Sequence, residues 1–175
     1  MNGSAGEQTR EERLEIARRY RERRGRELRE LAATAVEGEV VAAGEFSSVP
    51  KEAMAAIPFA GVLMIPWARV RARRSGLPQD LLIALDADDV HLLELDKPGI
   101  GSDDLAAAPF RRWHRSEVRV EEVRRAFMRT IVTLDVPDSD EPLTLYAPTL
   151  RTNPWSSEVV RLLGGEAPEP LDLAA

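Results

Sequence analysis

Apolar residues recur along this chain with two different periods, and the switch between them divides the molecule. Over residues 8–36 they return every three or four positions, which puts Leu14, Ala17, Arg21, Arg24, Leu28, Leu31 and Ala35 on one face. Gln, Arg, Glu, Leu and Ala dominate this stretch, and no proline occurs before Pro50, so a single helix is predicted. Two arginines interrupt the apolar seam that a coiled coil would need. The helix is therefore expected to dock through its Leu28–Val36 half and to leave its Arg/Glu-rich first half in solvent.

Beyond Gly38 the period becomes two. A first strand is predicted within residues 38–47, and two more at Leu81–Leu85 and Val90–Leu95. Residues 109–123 read as one or two strands around Trp113, Val118, Val120 and Val123. Over 128–136, Met128, Thr130, Val132, Leu134 and Val136 fall on one face, and over 143–147 Leu143, Leu145 and Ala147 point inward. Clusters of Asp, Gly and Pro at 86–89, 97–104 and 137–142 supply the turns. The last element reads as a helix with marked ends. Asn153 can cap it, Pro154 suits its first position, Arg161 lies in the last turn, and Gly164 and Gly165 stop it. Trp155, Val159, Leu162 and Leu163 would form its buried stripe. The expected architecture is α+β and mainly β, a small antiparallel barrel or sandwich capped by a C-terminal helix. Residues 1–36 form a charged helical extension, 37–165 the β domain, and 166–175 an acidic tail.

One segment fits neither period. AMAAIPFAGVLMIPWA, residues 53–68, carries no charge over sixteen positions, yet Pro58 and Pro66 punctuate it and it falls short of the ~20 residues that span a bilayer. Two readings stay open. In one, the segment is a buried connection lying over the sheet. In the other, it dips into a membrane, with Phe59, Leu63, Met64 and Trp67 among the headgroups and Arg69, Arg71, Arg73 and Arg74 behind them.

Composition narrows the functional classes. With 43% hydrophobic and 31% charged residues, the 175-residue chain can build one packed domain with an appendage. Cysteine is absent, which excludes disulfides and thiolate chemistry, and two histidines are too few for a His-rich metal site. A net charge of −6 argues against bulk nucleic-acid binding. Its distribution is lopsided. Residues 69–74 hold four arginines and no acid, whereas 80–104 hold eight acids and only Lys97 as a base. Arg111, Arg112 and Arg115 flank Trp113 and His114. They could join Arg69 and Arg71 in one cationic, aromatic face opposite the acidic turn. The simpler expectation is a solvated strand face, with Trp113 in the core and the arginines paired with Glu117, Glu121 and Glu122.

Candidate chemistry is sparse. The cluster Asp86-Ala87-Asp88-Asp89 fails as an EF-hand loop because Val90 and His91 stand where an oxygen ligand and a glycine belong. As a catalytic pair, Asp86 and Asp88 would sit on a solvated tip with nothing to raise a pKa, so a hairpin turn is expected. His91 alternates with Leu93 and Leu95 and reads as a packed histidine; His114 lies in a basic setting. Gly99 and Gly101 lack the third glycine of a phosphate loop. The expectation is a protein that is not an enzyme and uses neither a cofactor nor a metal. Residues 1–13 are polar throughout, with no apolar signal core, which predicts a cytoplasmic protein, peripheral at most at the inner face of the membrane.

From Glu39 to Leu163, the order of elements resembles a bacterial pleckstrin-homology-like domain of the GRAM-like sort, of actinobacterial type. The resemblance is carried by the pair LLIALDADDVHLLEL, the Trp113 strand, the hairpin MRTIVTLDVPDSDEPLTLYA and the closing helix NPWSSEVVRLL. It implies an interaction module, in which Lys51 and the pair Arg69 and Arg71 would face an anionic headgroup. Here 17 residues separate them, where the family's motif is shorter. The expected function is binding of a protein partner or of anionic lipid through residues 53–74 and the adjacent arginine face. One alternative is a small-ligand or enzymatic barrel using His91 and His114. Another is a scaffold that forms homo-oligomers through residues 8–36.

Overall fold

Helix α1 runs from Arg10 to Val36, and its two halves meet different surroundings, as the broken seam predicts. Leu28 and Ala32 in its second half are fully buried, with Leu31, Ala35 and Val36 packed around them, while Ile16 and Tyr20 in the first half stand in solvent. The computed structural model describes residues 10–49, 76–96, 105–126, 129–148 and 153–166. Among them, no helix is long and apolar enough to cross a membrane.

Seven strands follow among the described residues: β1 (Ala42–Ser47), β2 (Asp80–Leu85), β3 (Asp89–Asp96), β4 (Ala106–His114), β5 (Arg119–Ala126), β6 (Arg129–Asp135) and β7 (Leu143–Pro148). Helix α2 (Pro154–Leu162) comes last. The fold is α+β and mostly strand. The strands form one open antiparallel sheet in the order β4-β3-β2-β1-β7-β6-β5, and β1 meets β7 through the pair Ser47–Tyr146. A short 3-10 turn, Arg115–Glu117, carries the chain from β4 to β5, the two edges of that order.

The sheet folds over a single main core. Phe46, Ile83, Leu92 and Trp113 from β1 to β4 share one apolar cluster with Val132, Leu134 and Leu145 from β6 and β7. Val159, Val160 and Leu163 on α2 complete it. A second cluster lies on the other face of the first strands, where Ala43, Leu82, Ala84, Leu93 and Leu95 meet Leu28 and Ala32 of α1. Leu81 to Leu85 is consequently buried on both sides. Its unbroken apolar run is what a doubly covered strand requires, whereas β6 alternates buried and half-buried positions.

Helix α2 lies against β1 at contact distance. A Cβ on Gly44 would come within 2.7 Å of the Ser156 Cα, and the Ser156 hydroxyl donates to the Glu45 carbonyl at 3.0 Å. The helix ends as its glycines predict. Gly164 takes φ +85°, its N–H donates to the Arg161 carbonyl at 3.0 Å, and that of Gly165 donates to the Val160 carbonyl at 2.9 Å.

Several sequence expectations need correction. The first strand is shorter than residues 38–47, because α1 persists to Val36 and the chain must turn before it enters the sheet. Strand β4 starts at Ala106, since Ala106, Ala107 and Ala108 pair with Asp96, Leu95 and Glu94 despite their weak strand preference. On α2 it is Val160 that is buried, and Leu162 faces solvent. Asn153 stands at the cap position, but its side chain makes no capping bond to the helix. Met128 lies outside the described residues.

Candidate functional site

The acidic turn and the arginine-rich strand, which the sequence sets apart, are neighbours in space. Asp89 pairs with His114 across β3 and β4, and His91 with Arg112. Arg112 donates from Nε to the Asp89 carboxylate at 2.7 Å, and one of its terminal nitrogens reaches the same oxygen. Arg111 donates to Asp138 at 3.2 Å, and the Trp113 indole N–H donates to the other Asp138 oxygen at 2.6 Å. Arg115 donates to the Leu162 carbonyl at 2.8 Å, at the C-terminus of α2, where positive charge is favoured. Trp113 is in the core, as the simpler reading expects, but the partners of the arginines are Asp89, Asp138 and a helix carbonyl. Asp138 belongs to the β6–β7 turn, so Trp113 and Arg111 fasten β4 to the opposite half of the sheet.

Strand β4 is also irregular at this point. Its register against β3 shifts between Leu92 and Leu93, which leaves Phe110 as the extra residue between Pro109 and Arg111. Phe110 is exposed, and the Arg111 guanidinium lies 5.5 Å from its ring centre.

The turn is more constrained than a solvated tip. One Asp86 oxygen accepts the backbone N–H groups of Asp88 at 2.8 Å and Asp89 at 2.6 Å. The other oxygen lies 2.7 Å from His91 Nε2. An ionised carboxylate can only accept, so Nε2 carries the proton in this pair. Burial pushes the Asp86 carboxyl up, but the hydrogen bonds from His91 and from the two backbone groups outweigh it and leave the group below the usual carboxylate range. The sequence hides this pair because five residues separate its members. The signal was present in the hairpin itself: His91 faces Ala84, and Asp86 lies one same-face step along, within diagonal reach.

Asp86, Asp89 and His91 offer ligand atoms within 4.8 Å of one another. The chemistry of the set does not favour a cation. The proton on His91 Nε2 and the Arg112 guanidinium already occupy one oxygen each of Asp86 and Asp89, and a divalent ion would have to displace one and face the other. His114 is likewise used structurally: it stands at the cap of the 3-10 turn, with Nδ1 2.7 Å from the Ser116 hydroxyl and its N–H donating to Glu117.

Removing the Asp86 carboxylate is expected to loosen the hairpin. Asp86→Ala should cost about 2 kcal/mol, because two backbone donors and the His91 N–H lose a charged acceptor together. The pH dependence follows from the lowered pKa. Since the folded value lies below the unfolded one, the stabilisation is complete above about pH 4 and is lost as pH falls through the folded value. Urea midpoints of wild type and Asp86→Ala should therefore differ at pH 7 and converge in strong acid. An unchanged gap at both ends would show that the carboxylate charge does not hold the turn.

The second charged contact ties α1 down. Arg24, placed on the seam by the sequence, meets Glu45 of β1 at 2.6 Å, with both side chains more than four-fifths buried. Burial alone would lower the Arg24 pKa, and the charge and hydrogen bond of Glu45 more than reverse this, so the guanidinium stays ionised.

Phe59, Leu63, Met64, Trp67, Arg69, Arg71, Arg73 and Arg74 lie outside the described residues. Compared with known proteins, the chain matches no family model, no curated protein and no solved structure.

Proposed function

We propose that this chain is a non-enzymatic interaction module of pleckstrin-homology-like type, working in the cytoplasm. It engages a protein partner or an anionic membrane surface through residues 53–74 and the arginine face of β4. The observation that carries the reading is the bulge at Phe110. An edge strand there presents an aromatic ring with Arg111 stacked on it, and the Arg112 side chain, 69% exposed, lies two positions along. Each arginine spends only part of its donor fork on Asp138 or Asp89. The other edge is built differently. Arg119, Glu121, Glu122, Arg124 and Arg125 are all exposed on β5, an alternation of charge that discourages strand addition. The antiparallel sheet with its closing helix α2 supports the family resemblance.

Two measurements test the proposal together. Co-sedimentation with vesicles of neutral lipid, and with vesicles containing anionic lipid, at low and high salt, should show salt-sensitive pelleting that Arg111→Glu and Trp67→Ser weaken. A photo-crosslinking residue at position 110 should otherwise trap one discrete protein adduct in cells, and Arg112→Glu should abolish it. If neither pelleting nor a discrete adduct appears, the interaction reading fails.

A further inference from the structure

The 3-10 turn between β4 and β5 brings together a base and a hydroxyl, His114 and Ser116. The Ser116 backbone N–H donates to His114 Nδ1 at 3.3 Å, so that nitrogen bears no proton and the ring carries its hydrogen on Nε2. The Ser116 hydroxyl lies 2.7 Å from the same Nδ1 and can only donate to it. A serine O–H aimed at an unprotonated imidazole nitrogen is the pairing that activates a hydroxyl as a nucleophile. Both residues are exposed, so the oxygen is open to a reagent in solvent. Other hydroxyls are held differently. Those of Ser139 and Ser156 donate to carbonyl oxygens, which do not take up a proton.

The turn is anchored on every side of the pair. Trp113 before it and Val118 after it are buried in the main core. The Arg115 N–H donates to the Asp88 carbonyl at 2.7 Å, and the Glu117 carboxylate accepts the His114 backbone N–H at 3.3 Å. Such anchoring keeps the hydroxyl and its base in register before any reagent arrives. The two neighbours of Ser116 also bear on the donor. Arg115 is turned to the Leu162 carbonyl, which leaves the Glu117 charge to repel a polyanionic nucleoside triphosphate. We propose that Ser116 is a modification site that accepts an acyl group from an activated donor, a thioester or an acyl phosphate, with His114 as general base. As the bond from Oγ to the acyl carbon forms, the hydroxyl proton passes to His114 Nδ1. The bond from that carbon to the thiolate or phosphate breaks, the leaving group keeps the electron pair, and His114 returns the proton to solvent. The product is a serine ester, a stoichiometric modification without turnover.

The test incubates the full chain separately with acetyl phosphate and with the acetyl thioester of N-acetylcysteamine, and follows acetylation of each serine by peptide mass spectrometry. Hydroxylamine cleaves esters and spares amides, which separates acetylated serine from acetylated Lys51 and Lys97. Ser139, exposed and bonded to the Glu141 carbonyl, is the internal reference. Ser116 should be acetylated at least about tenfold faster than Ser139 with one or both donors, a modest share of what a positioned general base supplies. The faster donor identifies the preferred leaving group. His114→Asn keeps a side-chain acceptor for the turn but removes the base, and should bring Ser116 down to the Ser139 rate at an unchanged thermal midpoint. The comparison of the two serines within the wild-type chain stands whatever the stability of that variant. Similar rates at Ser116 and Ser139 with both donors, or a Ser116 rate that His114→Asn leaves unchanged, overturn the proposal.

Discussion

Gly44→Ala is expected to destabilise the fold by about 3 kcal/mol, the upper part of the range for overpacking a tight contact. The added methyl would sit 2.7 Å from the Ser156 Cα and 3.2 Å from its nitrogen. Both are backbone atoms of α2, so no rotamer change relieves the clash and the helix itself must lift. Its other end resists. Gly165 is packed so closely against Val160 and Val120 that a Cβ there would also fall within 2.8 Å of both side chains. A lifted α2 would stretch the Ser156–Glu45 bond and open the core around Val159. Urea unfolding should show a midpoint lowered by more than about 1 M with an unchanged slope. A midpoint within error of wild type would mean that α2 does not lie on β1 at this distance.

How much of this was legible beforehand depends on whether the information is local. Helix α1 and the end of α2 were, because spacing by three and four and the paired glycines act within a few residues. The alternation of β6 and β7 was legible for the same reason. Cover on both faces of β2 was written in the sequence less directly: an apolar run with no polar alternation implies two dry sides but does not say that α1 supplies one. The start of β4 was hidden because alanines and a proline favour no strand; β3 imposes the conformation on them. At the candidate sites the loss is greater. Arg111 and Trp113 find Asp138 across at least 25 residues, and Arg24 finds Glu45 across 21, so no spacing rule could name those partners.

Leu28→Ala is the other substitution with a large expected effect, a loss of about 3 kcal/mol from a buried leucine reduced to a methyl. Leu28 is fully buried among Ala43, Leu82, Ala84 and Trp155, small or rigid neighbours that cannot collapse into the space it leaves. The same truncation at Ile16, which is 54% exposed on the first half of α1, should change stability by less than about 0.5 kcal/mol. The contrast separates two accounts of the helix. If α1 were an independent extension attached by its last turn, neither change would alter the unfolding of the sheet. If its second half is the lid of the second core, Leu28→Ala must lower the midpoint of the whole domain, because Leu82 and Leu93 lose their cover while their opposite-face neighbours Ile83 and Leu92 line the main core. The two cores share the backbone of β2 and β3, so a single cooperative transition at a lower urea concentration is expected. A separate early transition, with the sheet unfolding at its original midpoint, would show that α1 is not an integral layer of the fold.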